Sequence, residues 1–187
     1  MAFLTQNQLD SFGFARVGAN VFISEKASFY NPGKISIGNN VRIDDFCVIS
    51  AGEGGIEIGN YIHIAVFSSL IGAGNINLAD FVNISSRVSI YSSNDDYSGE
   101  TLTSPMVSEA FKNVRSADVV LEKHVIVGSS CVILPGVTLK EGAAIGALSL
   151  VAKDCEEFTI YSGVPALAKK SRSRDLKKLE LDFLHSQ

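Results

Sequence analysis

Residues 121–150 read LEKHVI, VGSSCV, ILPGVT, LKEGAA and IGALSL, five consecutive hexads that each open on a bulky apolar residue. The fifth residue of each hexad is a second, usually smaller residue, from Val125 to Ser149. The same spacing recurs along most of the chain in six triplets of hexads. Their openers are Val17, Ile23, Phe29; Ile37, Ile43, Ile49; Ile58, Ile64, Leu70; Leu78, Ile84, Ile90; Leu121, Val127, Ile133; Leu139, Ile145 and Val151.

A period of six residues fits neither an α-helix nor one long strand. An amphipathic helix repeats near every 3.6 residues, and a strand alternates every two. Short segments such as 35–37 alternate here, and Gly, Asn, Asp or Ser residues then turn the chain. Three short strands per turn make a three-sided prism whose interior the openers fill. We therefore predict a mainly β protein, a parallel β-helix of about six triangular coils.

Extra residues interrupt the repeat at a single position of the coil. Successive triplets start 20, 21, 20, 43 and 18 residues apart, whereas three hexads take 18. All the extra residues follow the third hexad, so we expect them to stack at one corner of the prism. The longest insertion, residues 91–118, is expected to be either functional or disordered, because long loops are uncommon in compact domains.

Both ends of the chain lie outside the repeat. Residues 1–16 predict a short N-terminal helix that caps the open core, as solenoids require. Residues 17–155 form the predicted β-helix with its loop. Residues 156–187 are expected to form a C-terminal segment that ends in an amphipathic helix, because apolar residues recur there at helical spacing.

Composition and charge limit the class of function. The chain has 187 residues, a net charge of −4 and three widely spaced cysteines. A mildly acidic protein lacks the basic surface of nucleic-acid binders, and no apolar run approaches the ~20 residues of a membrane span. The N-terminus has no signal-peptide pattern, and the odd number of cysteines argues against a disulfide framework. We expect a cytoplasmic protein that binds no nucleic acid and does not span a membrane.

Two stretches near the end of the repeat resemble the hexapeptide-repeat acyltransferases. They are GSSCVILPGV at 128–137 and IGALSLVAKD at 145–154, the second followed by GVPA at 163–166. Within that superfamily the chain resembles the galactoside, maltose and polysaccharide-biosynthesis O-acetyltransferases. The resemblance implies a left-handed coil, which the spacing does not decide. It also implies a homotrimer with active sites between adjacent prisms, roofed by the long loop.

The same resemblance implies acetyl-CoA as the acyl donor. Relatives carry two basic residues after the GxPA motif for the CoA phosphates. The first of these positions is Leu167 here, which departs from the pattern, whereas the second is a lysine with another lysine beside it. A lysine acts toward phosphate as a point charge. The candidate CoA-binding residues are Ser129, Ala147, Ala152, Lys169 and Lys170.

From the resemblance we expect an O-acetyltransferase acting on a sugar or sugar-containing precursor, as in cell-surface polysaccharide modification. Direct transfer to an alcohol needs a base. In galactoside and maltose acetyltransferases this base is a histidine at the start of the long loop, and Asp95 stands at that position here. An exposed aspartate, with an ordinary pKa near ~4, is a poor base toward an alcohol. We therefore hypothesise that His63 is the base and that Asp95 or Asp96 orients its imidazole, within the chain or across the subunit boundary. Candidate sugar-binding residues are Asn83, Arg87, Tyr91 and Tyr97.

Three other functions stay open. An N-acetyltransferase acting on a nucleotide-linked amino sugar would relieve the loss of the loop histidine, since an amine needs less base assistance than an alcohol. A zinc hydratase of the γ-carbonic-anhydrase type shares the prism but needs three converging histidines. His63, His124 and His185 occupy unrelated registers, so no metal is expected. A non-enzymatic solenoid, such as an ice-binding protein, would need ranks of threonine that this sequence lacks.

Overall fold

Three parallel β-sheets form the walls of a solenoid in the computed structural model, which describes residues 2–186. The first sheet contains β1 (Arg16–Val17), β4 (Ile35–Ile37), β7 (Ile56–Ile58), β10 (Ile76–Leu78), β15 (Val119–Leu121) and β18 (Thr138–Leu139). The second contains β2 (Val21–Ile23), β5 (Val41–Ile43), β8 (Ile62–Ile64), β11 (Asn83–Ile84), β16 (Ile126–Val127), β19 (Ala144–Ile145), β21 (Thr159–Ser162) and β22 (Leu167–Ser171). The third contains β3 (Ser28–Tyr30), β6 (Val48–Ala51), β9 (Ser69–Gly72), β12 (Ser89–Tyr91), β17 (Val132–Ile133) and β20 (Leu150–Val151).

The hexad openers stack on one another and fill the interior. Ile58, for example, pairs with Ile37 of the preceding coil and with Leu78 of the following one. All the openers except Val17 and Phe29, near the N-terminal end, are buried. Burying one such aliphatic side chain contributes ~1.5–3 kcal/mol, so the column of openers stabilises every wall at once. The predicted mainly β parallel solenoid is confirmed, and its left-handed winding stays a prediction.

The solenoid has about seven turns, one more than the hexads indicated. Six full coils end at Val151, and the chain continues into a partial seventh. Cys155 bridges to Leu139 of the sixth coil, and β21 pairs in parallel with β19. The hexad count missed this turn because Glu157, six residues after Val151, is not apolar. The strand β22 then folds back antiparallel on β21.

Three corners connect the walls. We number them in chain order: the first corner joins the first sheet to the second, the second joins the second to the third, and the third leads into the next coil. All insertions lie at the third corner, and the first of them forms the 3-10 helix Pro32–Lys34. In the long loop after coil four, β13 (Ser93–Asn94) pairs antiparallel with β14 (Arg115–Ser116). The 3-10 helix Glu109–Phe111 lies between these two strands.

A short helix, α1 (Gln6–Ser11), closes the N-terminal end of the core. It starts at a capping box in which the Thr5 side chain accepts from the backbone N–H of Gln8, and the Gln8 side chain accepts from that of Thr5. Leu9 is buried in the core. The predicted N-terminal helix is therefore present and in its expected position.

The C-terminal helix, α2 (Leu176–His185), lies against the first corner. The ring of Phe183 meets that of Tyr61 edge-on, with centroids 5.3 Å apart. Glu180 accepts a hydrogen bond from Nε2 of the buried His124 at 2.8 Å. The predicted C-terminal helix is confirmed, and it begins only at Leu176, after β22 has ended.

The three cysteines lie inside the solenoid and are free thiols. Burial raises the pKa of Cys47 to about 11 and that of Cys155 to about 12. Burial also raises the pKa of Cys131. All three therefore remain protonated and unreactive in the folded protein.

Candidate active site

The root of the long loop forms a cleft against the outer face of the third sheet. Its start is held by the buried Ser92, whose hydroxyl donates to the carbonyl of Gly74 at 2.7 Å. The cleft is lined by Tyr91, Ser93, Asn94, Asp95, Tyr97, Val114, Val132 and Leu134. The structure thus brings together three residues that the sequence singled out, one carboxylate and two tyrosines.

The two neighbouring loop aspartates have different surroundings. Asp96 accepts hydrogen bonds from the backbone N–H and the hydroxyl of Ser98, both at 2.9 Å, and from the hydroxyl of Thr101 at 2.8 Å. These bonds, first that from the Ser98 backbone, lower the pKa of Asp96. Asp95 is exposed and forms no hydrogen bond or ion pair with any described residue. Asp96 therefore shapes the loop, whereas the Asp95 carboxylate is available to a ligand.

His63 has a carboxylate partner of its own on the second sheet. Its Nε2 lies 2.9 Å from Oδ2 of Asp44, and Arg42 Nε donates to Oδ1 of the same carboxylate at 2.7 Å. Burial works to raise the pKa of Asp44, but the hydrogen bonds from Arg42 and His63 outweigh it and lower that pKa. An ionised carboxylate has no proton to donate, so the proton of the hydrogen bond belongs to Nε2. Nδ1 of a neutral ring is then the nitrogen with a free lone pair.

His63 and the loop aspartates lie on different walls of the same chain. His63 belongs to β8 in the second sheet, whereas Asp95 overhangs the third sheet. The expected pairing of His63 with Asp95 or Asp96 does not occur within the chain, where Asp44 holds the imidazole. Any meeting of His63 with Asp95 requires a second copy of the chain.

Two further candidates for substrate binding lie outside the cleft. Asn83 pairs in register with His63 from the next coil and is exposed on the same sheet face. Arg87 is exposed at the second corner, and its guanidinium lies 5.5 Å from the ring centre of Phe67. The sequence-predicted sugar-binding residues therefore divide into two groups on adjacent walls.

The residues proposed to contact CoA border the third sheet in the C-terminal coils. Ser129 and Ala147 are exposed at the second corner, and Ala152 is exposed just after β20. Lys169 and Lys170 are exposed on β22, at the edge of the second sheet.

The described residues contain neither a cluster of metal-ligating side chains nor a helix that could span a membrane. Among residues 2–186, no three His, Cys, Asp or Glu side chains are grouped closely enough to hold a metal ion. No helix in that part of the chain combines the length and the apolar character needed to cross a bilayer.

Comparison with known proteins decides the family. No family model matches the chain. The dTDP-4-amino-4,6-dideoxy-D-glucose acyltransferase of Escherichia coli is 57% identical over 183 residues, which cover 98% of this chain and 95% of that protein. The chain belongs to the hexapeptide-repeat acyltransferase superfamily.

Solved structures are also similar to this acyltransferase. AntD, an N-acyltransferase from Bacillus cereus, superposes with a TM-score of 0.96 at 46% identity, covering 100% of this chain and 99% of that one. That structure, of a serine variant, is a complex with dTDP-4-amino-4,6-dideoxyglucose and coenzyme A. AntD in complex with dTDP and 3-hydroxybutyryl-CoA gives a TM-score of 0.94 at 48% identity, covering 98% and 97% of the two chains.

These relatives correct the expected reaction. We expected acetyl transfer to a sugar hydroxyl, and this was wrong. The two relatives match nearly the whole length of this chain, and one is named as an acyltransferase of an amino sugar nucleotide while the other binds one. The alternative of N-acyl transfer is favoured instead. The physical reason lies in the loop, where Asp95 replaces a histidine that an alcohol acceptor would need.

Sequence reasoning missed Asp44 altogether. Asp44 directly follows the opener Ile43, where the chain leaves β5 for the second corner, and it looked like an ordinary turn residue. A signal was present. Arg42 pairs with His63 one coil away, and Asp44 comes two residues after Arg42. Comparing residues one coil apart, rather than along the chain, would have revealed it.

Proposed function

We propose that this acyltransferase moves an acyl group from an acyl-CoA to the amino group of a dTDP-linked 4-amino-4,6-dideoxy sugar. The observation that carries the proposal is the 57% identity, over 98% of the chain, to an enzyme named for that substrate. The bound ligands of AntD support both halves of the reaction, since its complexes contain the amino sugar nucleotide or dTDP together with coenzyme A or an acyl derivative.

In the proposed reaction, the nitrogen lone pair attacks the thioester carbonyl. A C–N bond forms, the C–S bond breaks and the thiolate of CoA leaves with the bonding electrons. The nitrogen must lose one proton during transfer, and the thiolate gains one. An amine is the better nucleophile, so a carboxylate, ordinarily ionised at neutral pH, suffices where an alcohol would need a stronger base. Asp95 is our first candidate to hold and accept that proton.

His63 is the second candidate for the proton. Its Nε2–H is held by the Asp44 carboxylate, and its Nδ1 is the nitrogen left to accept. This role requires that the second sheet of one chain face the loop of another. A His63→Asn variant tests it, because loss of a general base should lower kcat/KM for the amino sugar about 100-fold or more.

A homotrimer with sites between chains is part of the proposal. The loop exposes apolar side chains beyond the prism: Met106 is 90% exposed and Tyr97 is 87% exposed. Exposed apolar groups that cluster on one segment are typical of contact surfaces. The three free, buried cysteines support a reducing, cytoplasmic location. For the donor, Ser129, Ala147 and Ala152 would flank pantetheine.

A two-acceptor assay tests the reaction. The purified protein is given an acyl-CoA and either dTDP-4-amino-4,6-dideoxyglucose or the matched sugar nucleotide with a hydroxyl at C4, and release of CoA thiol is followed with a chromogenic disulfide. Acetyl-CoA and 3-hydroxybutyryl-CoA serve as alternative donors. We expect turnover with the amino sugar only. Transfer to the hydroxyl compound, or to neither acceptor with either donor, contradicts the proposal.

A matched pair of substitutions tests Asp95. Asp95→Asn keeps the shape of the side chain and removes its charge, and Glu100→Gln makes the same charge change elsewhere in the loop. We expect kcat/KM for the amino sugar to fall about 100-fold or more for Asp95→Asn and to stay unchanged for Glu100→Gln. Asp95→Asn activity within threefold of the unsubstituted enzyme would rule Asp95 out as the proton acceptor.

A further inference from the structure

The second corner carries a column of outward-pointing side chains, one for each coil. Coils two, three and four place Phe46, Phe67 and Arg87 there, each with a left-handed backbone, with φ of 60°, 64° and 60°. Coils five and six continue the column with Ser130 and Leu148, at φ of 61° and 59°. Because the backbone conformation repeats, these side chains leave the corner in the same direction and stack above one another.

The N-terminal half of this column is a stack of rings and cations. The rings of Phe46 and Phe67 lie 5.1 Å apart and 12° from parallel. The guanidinium of Arg87 covers the outer face of Phe67 at 5.5 Å, and the ammonium of Lys26 lies 5.3 Å from the ring centre of Phe46. Such cation–π contacts fix the position of a charged group at the surface. Two cations and two rings therefore form one continuous ledge over coils one to four.

A similar stack at the first corner is covered, and the ledge is not. At the first corner Tyr61, Phe81 and His124 stack in the same way, and Phe183 of α2 lies across them. At the second corner Phe46 and Phe67 remain 48% and 50% exposed. The chain supplies a cover for one aromatic column, so the open one is available to a ligand.

The charge at the ledge indicates the chemistry of that ligand. The guanidinium of Arg87 forms no ion pair and no hydrogen bond with any residue in 2–186, and its one contact of this kind is with the Phe67 ring. The ammonium of Lys26 has one carboxylate partner among the described residues, Asp45, at the long distance of 3.5 Å. An arginine held by a ring face keeps its N–H groups free, and a planar guanidinium binds phosphate oxygens in pairs. An unpaired, pre-oriented arginine in a chain of net charge −4 complements a phosphorylated ligand.

The position of the ledge along the solenoid fits the acceptor rather than the donor. The loop with Asp95 leaves the chain after coil four, and the candidate CoA contacts Ser129 and Ala147 lie in coils five and six. An acceptor whose amine meets the thioester near coil four must extend away from the donor, toward coils one to three. Two coil spacings, from Arg87 to Phe46, span about 10 Å, the scale of a nucleoside diphosphate.

We propose that the ledge binds the nucleoside diphosphate of the sugar substrate, with Arg87 on the phosphates and Phe67 and Phe46 against the nucleoside. This rests on the proposed function for the identity of the substrate. In this arrangement the second corner of one chain binds the nucleotide, and the reacting amine lies at the loop of the facing chain.

Direct binding of dTDP, without any acyl-CoA, tests the proposal separately from catalysis. Titration calorimetry compares the unsubstituted protein with Arg87→Gln and with Arg16→Gln, which removes the same charge from the exposed face of the first sheet. We expect dTDP to bind Arg87→Gln about 10- to 100-fold more weakly and Arg16→Gln normally. Coenzyme A should bind all three proteins alike. Phe67→Leu should also weaken the binding of dTDP, since it removes the ring that holds the guanidinium of Arg87 in place.

The outcomes separate this proposal from the proposed reaction. Arg87-dependent binding of dTDP supports the ledge even if no amino sugar is acylated. Equal dTDP affinity in Arg87→Gln and unsubstituted protein overturns it, whatever the activity. If Arg87→Gln instead changes the sedimentation coefficient of the assembly, the corner is a contact between copies of the chain and the proposal also fails. Where activity is present, KM for the sugar nucleotide should rise while KM for acyl-CoA stays constant.

Discussion

The Asp44 carboxylate joins Arg42 and His63 on the outer face of the second sheet, and Asp44→Asn removes its charge with almost no change of shape. The Asp44 side chain is 8% exposed, whereas those of Arg42 and His63 are 52% and 42% exposed. A hydrogen bond to a charged group contributes ~1.5–3 kcal/mol, solvent screens half-exposed partners, and asparagine keeps one acceptor oxygen. We therefore expect the free energy of unfolding at pH 7 to fall by about 1–2 kcal/mol.

The pH dependence of that difference follows from the lowered pKa of Asp44. A carboxyl group with a lowered folded-state pKa adds stability above the pKa of the unfolded aspartate, near ~3.9. That stability is lost as the pH falls through the folded-state pKa. The two proteins should therefore differ at pH 7, and the difference should shrink steadily as the pH falls below about 4.

Urea denaturation followed by circular dichroism measures both quantities, at one fixed protein concentration so that any subunit association contributes equally to all samples. Asp182→Asn, at an exposed position of α2, serves as the charge control and should behave as the unsubstituted protein. Equal stability of Asp44→Asn at pH 7, or a difference that persists undiminished at pH 3, would refute the assignment of Asp44 as an ionised anchor.

Two further substitutions probe the solenoid and its cover. A Cβ at Gly52 would lie 2.6 Å from backbone atoms of the next coil, so Gly52→Ala should destabilise by about 1–3 kcal/mol. Gly33→Ala, where the nearest atom is 3.8 Å away, should change urea stability little; equal effects of the two would contradict this. Phe183→Ala uncovers the aromatic column at Tyr61 and, with Phe183 40% exposed, should cost about 1–2 kcal/mol. Hydrogen exchange should then speed up in α2; unchanged exchange would show that α2 is held elsewhere.

The walls of the solenoid could be predicted from the sequence because its physical signal is local and repeated. Each opener, such as Ile58 or Leu78, must fill the same interior, so the apolar residue recurs at a fixed spacing. The partial seventh turn escaped because Glu157 stands where an opener was expected, and the pairing of β21 with β19 replaces the pattern. Because β21 is held in place by its pairing with β19 and not by a hexad of its own, the spacing of apolar residues does not predict it.

The candidate site was predictable only in part, for a related reason. Asp95 could be found because it stands at a recognisable position of the loop. The link between His63 and Asp44 joins residues one coil apart, and the stack of Phe46, Phe67 and Arg87 spans three coils. Contacts of this kind run parallel to the axis of the solenoid, so the residues involved are about 20 apart in the sequence.

The three buried thiols can report where the solenoid of the acyltransferase opens locally. Cys47 lies in coil two, Cys131 in coil five and Cys155 at the start of the last turn. In a solenoid each coil is stabilised by its immediate neighbours, so opening can be confined to one end. A thiol reagent that reaches only exposed sulfur will therefore label these cysteines in the order in which their coils separate. Three buried side chains thus report separately on the second, the fifth and the last turn of the solenoid.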